Sequence, residues 1–209
     1  MRQRTPSSQR TREMSGIATE DGDMTKDAAA MSAPSAGYPP VLDACCGGRM
    51  MWFDKRNPLA MFMDKRCETV QWSGNDKIPG TDRKRFRERH LEVRPDVVGD
   101  FTKMDFPDGT FYLVAFDPPH FDTLGENSRT AKLYGRLFGD WETDLAAGFR
   151  ECFRVLRPNG VLVFKWNSND IPVERVLGLS PVAPLFGHTT GRQSKTHWVC
   201  FMKPARSIG

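Results

Sequence analysis

Short, continuous apolar runs recur along the chain from Tyr38 onward. In order, they are PVLDAC, LAMFMD, PDVVGD, FYLVAFD, GVLVFKW and THWVCFM. Because most of these runs are continuous rather than alternating in polarity, they are typical of strands that are buried on both faces of a sheet. The pattern therefore predicts a set of buried strands that begins soon after residue 38.

A helical pattern is clearest between residues 141 and 156. Apolar side chains fall on one face there, at Leu145, Phe149, Cys152, Phe153 and Leu156. Asp140 precedes the segment and can cap its first turn, and the RPNG sequence that follows can end it. Strands that alternate with crossovers of this kind predict a parallel sheet covered by helices.

Two segments interrupt this pattern. Residues 1–38 are rich in Ser, Thr, Ala and mixed charge without an apolar period, which predicts a disordered N-terminal tail followed by a single domain over residues 39–209. Residues 65–95 contain two glycines, a proline and then DRKRFRERH, which predicts an insertion with one basic turn. Its basic cluster, residues 83–89, is either a solvated face or a contact for nucleic acid.

Composition narrows the class of protein. With 209 residues, 39% hydrophobic and 27% charged, the chain is expected to form one globular domain, and its net charge of +4 permits a polyanionic partner. No apolar run approaches the roughly 18 residues of a membrane span, and no signal core is visible. The five cysteines show no zinc-site spacing, so we expect no metal and buried thiols in a reducing cytoplasm.

Acidic residues follow four of the apolar runs. They are Asp43, Asp64, Asp100 and Asp117. Because ligands of open parallel sheets bind beyond the carboxyl ends of the strands, we expect these carboxylates to meet in one crevice.

The first of these acids, Asp43, is the second residue of the sequence LDACCGGR. With Asp64 further on, this sequence has the outline of a nucleotide-binding unit, in which the second acid bonds a ribose diol. The turn lacks the G-x-G-x-x-G spacing that receives a pyrophosphate. A cofactor with a ribose and an adenine but without phosphates therefore fits the turn better.

The last of these acids begins the sequence DPPH. Pro118 and Pro119 fix φ twice and remove two backbone donors, so the chain leaves the strand and holds Asp117 in a rigid turn. A plain strand-ending turn is the alternative interpretation of the same four residues.

Together these motifs resemble the class I S-adenosylmethionine-dependent methyltransferases, and among them the amino-methyltransferases with an (Asp/Asn)-Pro-Pro-(aromatic) motif. The resemblance covers about residues 39–203. It implies an α/β, Rossmann-like, seven-stranded fold with a mostly parallel sheet, an antiparallel last strand and helices on both faces. It implies S-adenosyl-L-methionine as cofactor, held by Asp43, Ala44, Cys45, Gly47, Arg49, Asp64, Asp100 and Phe101. Arg49 replaces the second glycine of the family motif, and we expect it to pair with the cofactor's methionine carboxylate.

The resemblance also implies the reaction. Asp117 and the Pro118 carbonyl would accept hydrogen bonds from an exocyclic amine, most simply N6 of adenine in DNA. The catalytic residues are then Asp117, Pro118, Pro119 and His120, with no metal. A base inside a duplex must be flipped out to reach them, and His120 and Phe121 would stack on it.

Further substrate contacts are expected around this turn. The basic segment 123–140, with Arg129 and Lys132, is a candidate lid. The loop 187–197 carries Arg192 and Lys195 for phosphates, and Lys165 and Trp166 end a strand at the same edge.

Three alternatives remain open from the sequence. The same motif serves enzymes that methylate amines in RNA, and related motifs serve enzymes that methylate protein amides. The third alternative is a catalytically silent subunit that binds nucleic acid or cofactor and supports an active partner. Because no sizeable target-recognition domain is visible, a partner subunit for target recognition is also possible.

Overall fold

The computed structural model describes residues 37–121, 133, 135, 137, 139–191 and 195–205. Almost all of the predicted tail lies outside these residues, so the predicted domain boundary stays a prediction. Arg129, Lys132 and Arg192 also lie outside them.

Nine strands and two helices are present among the described residues. The strands are β1 (Val41–Asp43), β2 (Ala60–Asp64), β3 (Glu68–Lys77), β4 (Lys84–Val93), β5 (Val97–Val98), β6 (Phe111–Phe116), β7 (Leu156–Asn167), β8 (Phe186–Thr189) and β9 (Thr196–Met202). The helices are α1 (Trp141–Val155) and α2 (Val173–Leu177). Neither described helix has the length and apolar character that crossing a membrane requires.

Seven of the strands form one sheet in the order β5-β2-β1-β6-β7-β9-β8. The strands from β5 to β7 in this order pair in parallel, whereas β9 is antiparallel to both of its neighbours. The predicted fold class, a mostly parallel seven-stranded sheet of Rossmann-like α/β type with an antiparallel last strand, is confirmed. Strand order reverses between β1 and β6, which is where open α/β sheets bind their ligands.

Helix α1 covers the sheet where the sequence pattern predicts it. Asp140 caps it by accepting a hydrogen bond from the Thr143 amide at 3.2 Å. Its apolar face is buried against the sheet, with Leu145, Phe149 and Cys152 fully inaccessible to solvent. The helix ends at Val155 and β7 begins at the next residue, so RPNG forms the irregular first part of the strand rather than a separate loop.

The segment between β2 and β5 is a long antiparallel hairpin. All ten residues of β3 pair with those of β4, from Glu68 opposite Val93 to Lys77 opposite Lys84. The prediction of one basic turn was wrong, because the basic cluster lies mainly along β4 and the turn precedes it. Between β1 and β6, a region that is described throughout, the crossovers are turns and this hairpin; the two helices lie after β6.

Gly148 allows α1 to approach the sheet closely. A Cβ atom there would lie 2.8 Å from ring carbons of both Phe101 and Phe116. Phe116 is fully buried and its ring packs against Phe149 at a centroid distance of 5.7 Å, so these rings have little room to move. The glycine therefore has a packing role that outweighs its low helix propensity.

Replacing Gly148 with Ala should lower the free energy of unfolding by roughly 1–2 kcal/mol. The steric overlap of the added methyl group with the two rings destabilises the fold by more than the higher helix propensity of Ala stabilises it. Urea unfolding followed by circular dichroism measures the change. The exposed Arg150→Ala variant of the same helix is the control and should shift stability by less than about 0.5 kcal/mol. A Gly148→Ala protein as stable as the wild type would contradict this account.

Candidate active site

A cavity of about 660 Å³ opens at the carboxyl ends of the parallel strands. This volume lies within the range of roughly 300–1,000 Å³ that small-molecule sites usually have. Its lining includes Ala44–Gly48 after β1, Asp64–Arg66 at the end of β2, Gly99–Thr102 after β5, Asp117–His120 after β6, Lys165 of β7 and Trp198 of β9. The strand ends that carry the predicted acidic residues therefore meet around one cavity.

Asp43 lies beneath this cavity rather than in its described lining. The residue is fully buried, and its carboxylate accepts hydrogen bonds from the Trp52 indole at 2.7 Å and the Cys45 amide at 3.2 Å. Burial raises the pKa of Asp43 from 3.8 to about 7, and the charges of Asp117 and Asp64 also raise it. Asp43 thus holds the turn after β1 from below.

The glycine turn is fixed from two sides. The Gly47 amide donates to Asp64 Oδ2 at 2.8 Å, and Gly47 has φ of 48°, which glycine adopts without strain. A Cβ atom on Gly48 would lie 2.3 Å from Leu91 Cδ1. The root of the β3–β4 hairpin is therefore seated directly on the turn, which explains why glycine occupies this position.

Two carboxylates line the side of the cavity formed by β2 and β5. Besides Gly47, Asp64 accepts from the Arg66 amide at 2.9 Å, and Asp100 accepts from Lys65 Nζ at 2.8 Å. Burial alone would raise the pKa of Asp100, but hydrogen bonds from Lys65 and Thr102 hold it below its usual value. Asp100 is therefore ionised near neutral pH and can accept further hydrogen bonds from a ligand.

The DPPH turn follows directly after β6. Asp117 Oδ2 accepts a hydrogen bond from Lys165 Nζ at 2.5 Å, and both residues line the cavity. The Lys165 ammonium also lies 5.8 Å from the centre of the Trp198 ring. This end of the cavity therefore combines a carboxylate, an ammonium and an aromatic wall.

His120 closes the same end of the cavity. Burial lowers the pKa of His120 below its ordinary value, which keeps the imidazole neutral at physiological pH. Its Nδ1 is buried and has no hydrogen-bond partner among the described residues. A Cβ atom on Gly135 would lie 3.0 Å from Pro119 Cγ, so the chain returns across the turn after the undescribed segment.

Arg49 is not placed as predicted. Its guanidinium donates to the Lys55 and Arg94 carbonyls and to Asp96, at 2.6, 2.7 and 3.0 Å. It also lies 3.8 Å over the Phe62 ring. The prediction that Arg49 pairs with a ligand carboxylate in the cavity was wrong, because these internal contacts hold the side chain outside the cavity.

Other predicted substrate contacts also lie elsewhere. Trp166 is fully buried and donates its indole N–H to the Ile171 carbonyl at 3.0 Å, so its assignment to the substrate pocket was wrong. Lys165 and Trp166 are successive residues of β7, so their side chains point to opposite faces of the sheet, and only Lys165 is in the described lining. Phe121 is half-buried against His120, with ring centroids 4.3 Å apart, and is not in the described lining. Lys195 is exposed, and its predicted contact with phosphates stays a prediction.

The remaining described candidates do lie together. Those in the cavity wall are Ala44, Cys45, Gly47, Asp64, Asp100, Phe101, Asp117, Pro118, Pro119, His120 and Lys165. Sequence reasoning missed Trp198, which faces Lys165 across the β7–β9 pairing, and Asp144 of α1. No group of three or more His, Cys, Asp or Glu in the described part of the chain is arranged to hold a metal ion.

Comparisons with known proteins found similarity to solved structures but not to family models or curated sequences. No protein-family model and no curated protein sequence matches the chain. Similar solved structures include a SAM-dependent methyltransferase from Leishmania major, at 16% identity over 82% of this chain and 67% of that chain, with a TM-score of 0.45. Another is the N-methyltransferase NodS from Bradyrhizobium japonicum in complex with S-adenosyl-L-homocysteine, at 14% identity over 80% and 78% of the two chains, with a TM-score of 0.43. The fold assignment rests on the strand order and not on these distant similarities.

The raised pKa of Asp43 predicts how stability depends on pH. Between pH 3.8 and about 7 the folded protein keeps a proton that the unfolded chain releases, so raising the pH through this window should lower the free energy of unfolding. An Asp43→Asn variant lacks this titration.

The measurement is urea unfolding of both proteins at several pH values across and above this window. The stability of the wild type relative to Asp43→Asn should fall as the pH rises and then level off above about 7. A difference that stays constant or grows with pH would show that the folded carboxyl is not protonated in this range.

Proposed function

We propose that this chain is an S-adenosylmethionine-dependent methyltransferase that acts on an exocyclic amine of a nucleobase, and that its substrate is adenine N6 in DNA. The observation that carries the proposal is the position of the rigid Asp117–His120 turn. It lies in the wall of one cavity with the glycine turn and the carboxylates of Asp64 and Asp100.

The cavity residues suit a nucleoside-containing methyl donor. Asp64 would accept hydrogen bonds from the ribose diol, and Asp100 with the neighbouring Phe101 would hold the adenine. The backbone of Ala44–Gly47 would border the remainder of the molecule, and no pyrophosphate-binding G-x-G-x-x-G turn is needed. When bound, S-adenosyl-L-methionine supplies an electrophilic methyl group carried on a sulfonium.

The DPPH turn supplies the chemistry that an exocyclic amine requires. Such an amine is a poor nucleophile because its lone pair is delocalised into the ring. Hydrogen bonds from the amine to Asp117 and to the Pro118 carbonyl would localise the lone pair on nitrogen and align it for in-line attack. The Asp117 carboxylate would also take up the proton that the amine nitrogen releases when it is methylated.

A flipped base also needs flat neighbours. Trp198 provides an aromatic wall and His120 a neutral imidazole at the same end of the cavity. These two residues replace the pair of His120 and Phe121 that the sequence predicts.

The β3–β4 hairpin supports a nucleic-acid substrate. Arg85, Arg87 and Arg89 alternate along β4 and therefore share the face of the hairpin that includes Leu91. Since Leu91 sits on the Gly48 turn, this row of arginines leads outward from the rim of the cavity. Arg89 pairs with Asp76, while Arg85 and Arg87 are exposed.

The shape of the hairpin favours DNA over RNA. A two-stranded ribbon fits the major groove of B-form DNA, whereas the major groove of an RNA helix is too deep and narrow to admit one. Arginines spaced about 6.8 Å apart along one strand are suited to successive contacts with a phosphate backbone.

Replacing Asp117 with Ala should lower methyl transfer by about 100-fold or more, the range expected for a positioned proton acceptor. The assay incubates the purified protein with S-adenosylmethionine and duplex DNA, single-stranded DNA or total RNA, then identifies methylated nucleosides by mass. Cofactor binding, measured by calorimetry, should persist in the variant. The exposed Asp105→Ala variant, which lies outside the cavity, should retain full activity.

The same assay separates the alternatives. N6-methyladenine in DNA that is lost with Asp117→Ala supports the proposal. Methylation found only in RNA would support the proposed reaction but show that the substrate is RNA and not DNA. A protein that binds the cofactor but methylates none of the three substrates would overturn the proposal in favour of a catalytically silent subunit.

Removing both exposed arginines of β4, as Arg85→Ala with Arg87→Ala, should weaken DNA binding and reduce the slope of log affinity against log salt by about 2, or about 1 for each lost phosphate contact. Fluorescence anisotropy at several salt concentrations measures both quantities. Arg150→Ala on α1 removes an exposed arginine away from the hairpin and serves as the control. An unchanged slope in the double variant would exclude the hairpin from phosphate binding.

A further inference from the structure

The Lys165–Asp117 ion pair is set by the register of two neighbouring strands. Phe116 of β6 is paired with Phe164 of β7, and Asp117 and Lys165 are the next residue of each chain. Their charged groups meet at 2.5 Å in the cavity wall, with 22% of the Asp117 side chain and 28% of the Lys165 side chain exposed. The pair is therefore built into the sheet and faces the reacting end of the cavity.

Both partners keep unused hydrogen-bonding capacity. An ammonium has three donors, and among the described residues Lys165 Nζ donates only to Asp117. Asp117 accepts this bond at Oδ2, while no described residue donates to its Oδ1. The pair consequently presents to the cavity a hydrogen-bond acceptor directly beside a donor.

We propose that Lys165 is a specificity-determining residue, and that with Asp117 it recognises the base edge on which an amine lies next to an unprotonated ring nitrogen. This inference rests on the function proposed above. In adenine the matching atoms are N6 and N1: the amine donates to Asp117, and Lys165 donates to the ring nitrogen. Cytosine has the same arrangement at N4 and N3.

Other bases do not match the pair at this edge. The Watson–Crick edge of guanine places a protonated N1 beside its amine, so the Lys165 ammonium would face another donor. Thymine has no amine for Asp117 to hold. Opposed or missing polar partners in a partly buried pocket cost more than a matched pair gains, so the site rejects these bases.

Trp198 supplies an aromatic ring on which the base could stack beside the ion pair. It lies opposite Lys165 in the β7–β9 pairing, and the ammonium is 5.8 Å from its ring centre. A base stacked on Trp198 would bring its edge toward the ion pair. A hydrogen bond from Lys165 would also occupy the N1 lone pair, which leaves the amine as the nitrogen presented for methylation.

The experiment combines base analogues with variants of Lys165. Single-stranded oligonucleotides carry adenine, 1-deazaadenine, which keeps the amine but replaces N1 with C–H, or 7-deazaadenine, which alters the ring on the other side. Single strands avoid differences in base pairing. Rates of methyl transfer give kcat/KM for the wild type, Lys165→Met and Lys165→Arg.

The wild type should lose about 10-fold or more in kcat/KM on 1-deazaadenine, the size expected for losing one hydrogen bond from a charged donor, and much less on 7-deazaadenine. Lys165→Met should be slow on adenine and show no further loss on 1-deazaadenine. Lys165→Arg keeps a donor and should keep the preference for adenine, which a merely structural role of Lys165 would not produce.

The outcomes separate this inference from the proposed function. A wild type that methylates adenine and 1-deazaadenine equally well would overturn the role of Lys165 while leaving the amino-methyltransferase assignment standing. A Lys165→Met protein that is as sensitive to 1-deazaadenine as the wild type would do the same. A wild type that methylates no nucleobase in duplex DNA, single-stranded DNA or RNA would overturn both. If Lys165→Met does not fold, the ratio of kcat/KM on adenine to that on 1-deazaadenine, measured for the wild type and Lys165→Arg, still tests the role of Lys165.

Discussion

Repulsion between carboxylates gathered at one sheet edge is the constraint on which the site depends. Parallel pairing of β5, β2, β1 and β6 brings the ends of these strands together, and each end carries an aspartate. Each of the four carboxylates is compensated differently: Asp43 is buried with a raised pKa, Asp64 is bonded by Gly47 and Arg66, Asp100 is paired with Lys65, and Asp117 is paired with Lys165. Identical side chains at equivalent strand ends thereby acquire different properties.

Because their burial and partners differ, the four aspartates have different roles around the cavity. Asp43 has no access to solvent and supports the turn after β1, whereas Asp64 and Asp100 line the cavity and keep acceptor capacity there. Asp117 alone combines a rigid backbone, a neighbouring cation and an aromatic wall. The proposed chemistry therefore falls to the one carboxylate whose position is fixed by prolines and whose charge is balanced by a side chain of the next strand.

The sequence was sufficient to predict six of the seven strands of the main sheet, α1 and its cap, the sheet type and the meeting of the acidic strand ends, because continuous apolar runs and parallel topology determine these features. It did not predict the β3–β4 hairpin or β8, whose residues form no continuous apolar run. It could not distinguish Lys165 from Trp166, since only the pairing of β7 with β6 and β9 decides which of two adjacent residues faces the cavity. Trp198 was not predicted as a cavity residue for the same reason, since its place opposite Lys165 depends on the β7–β9 pairing. Arg49 was misplaced because its acceptors, near residues 55 and 96, are brought to it only by the tertiary fold.

The contact between Leu91 and Gly48 ties the hairpin to the cavity. Leu91 belongs to β4 and Gly48 lines the cavity, so this contact joins the root of the hairpin to the cavity wall. A change in the packing of Leu91 would therefore also change the support of the cavity wall at Gly48.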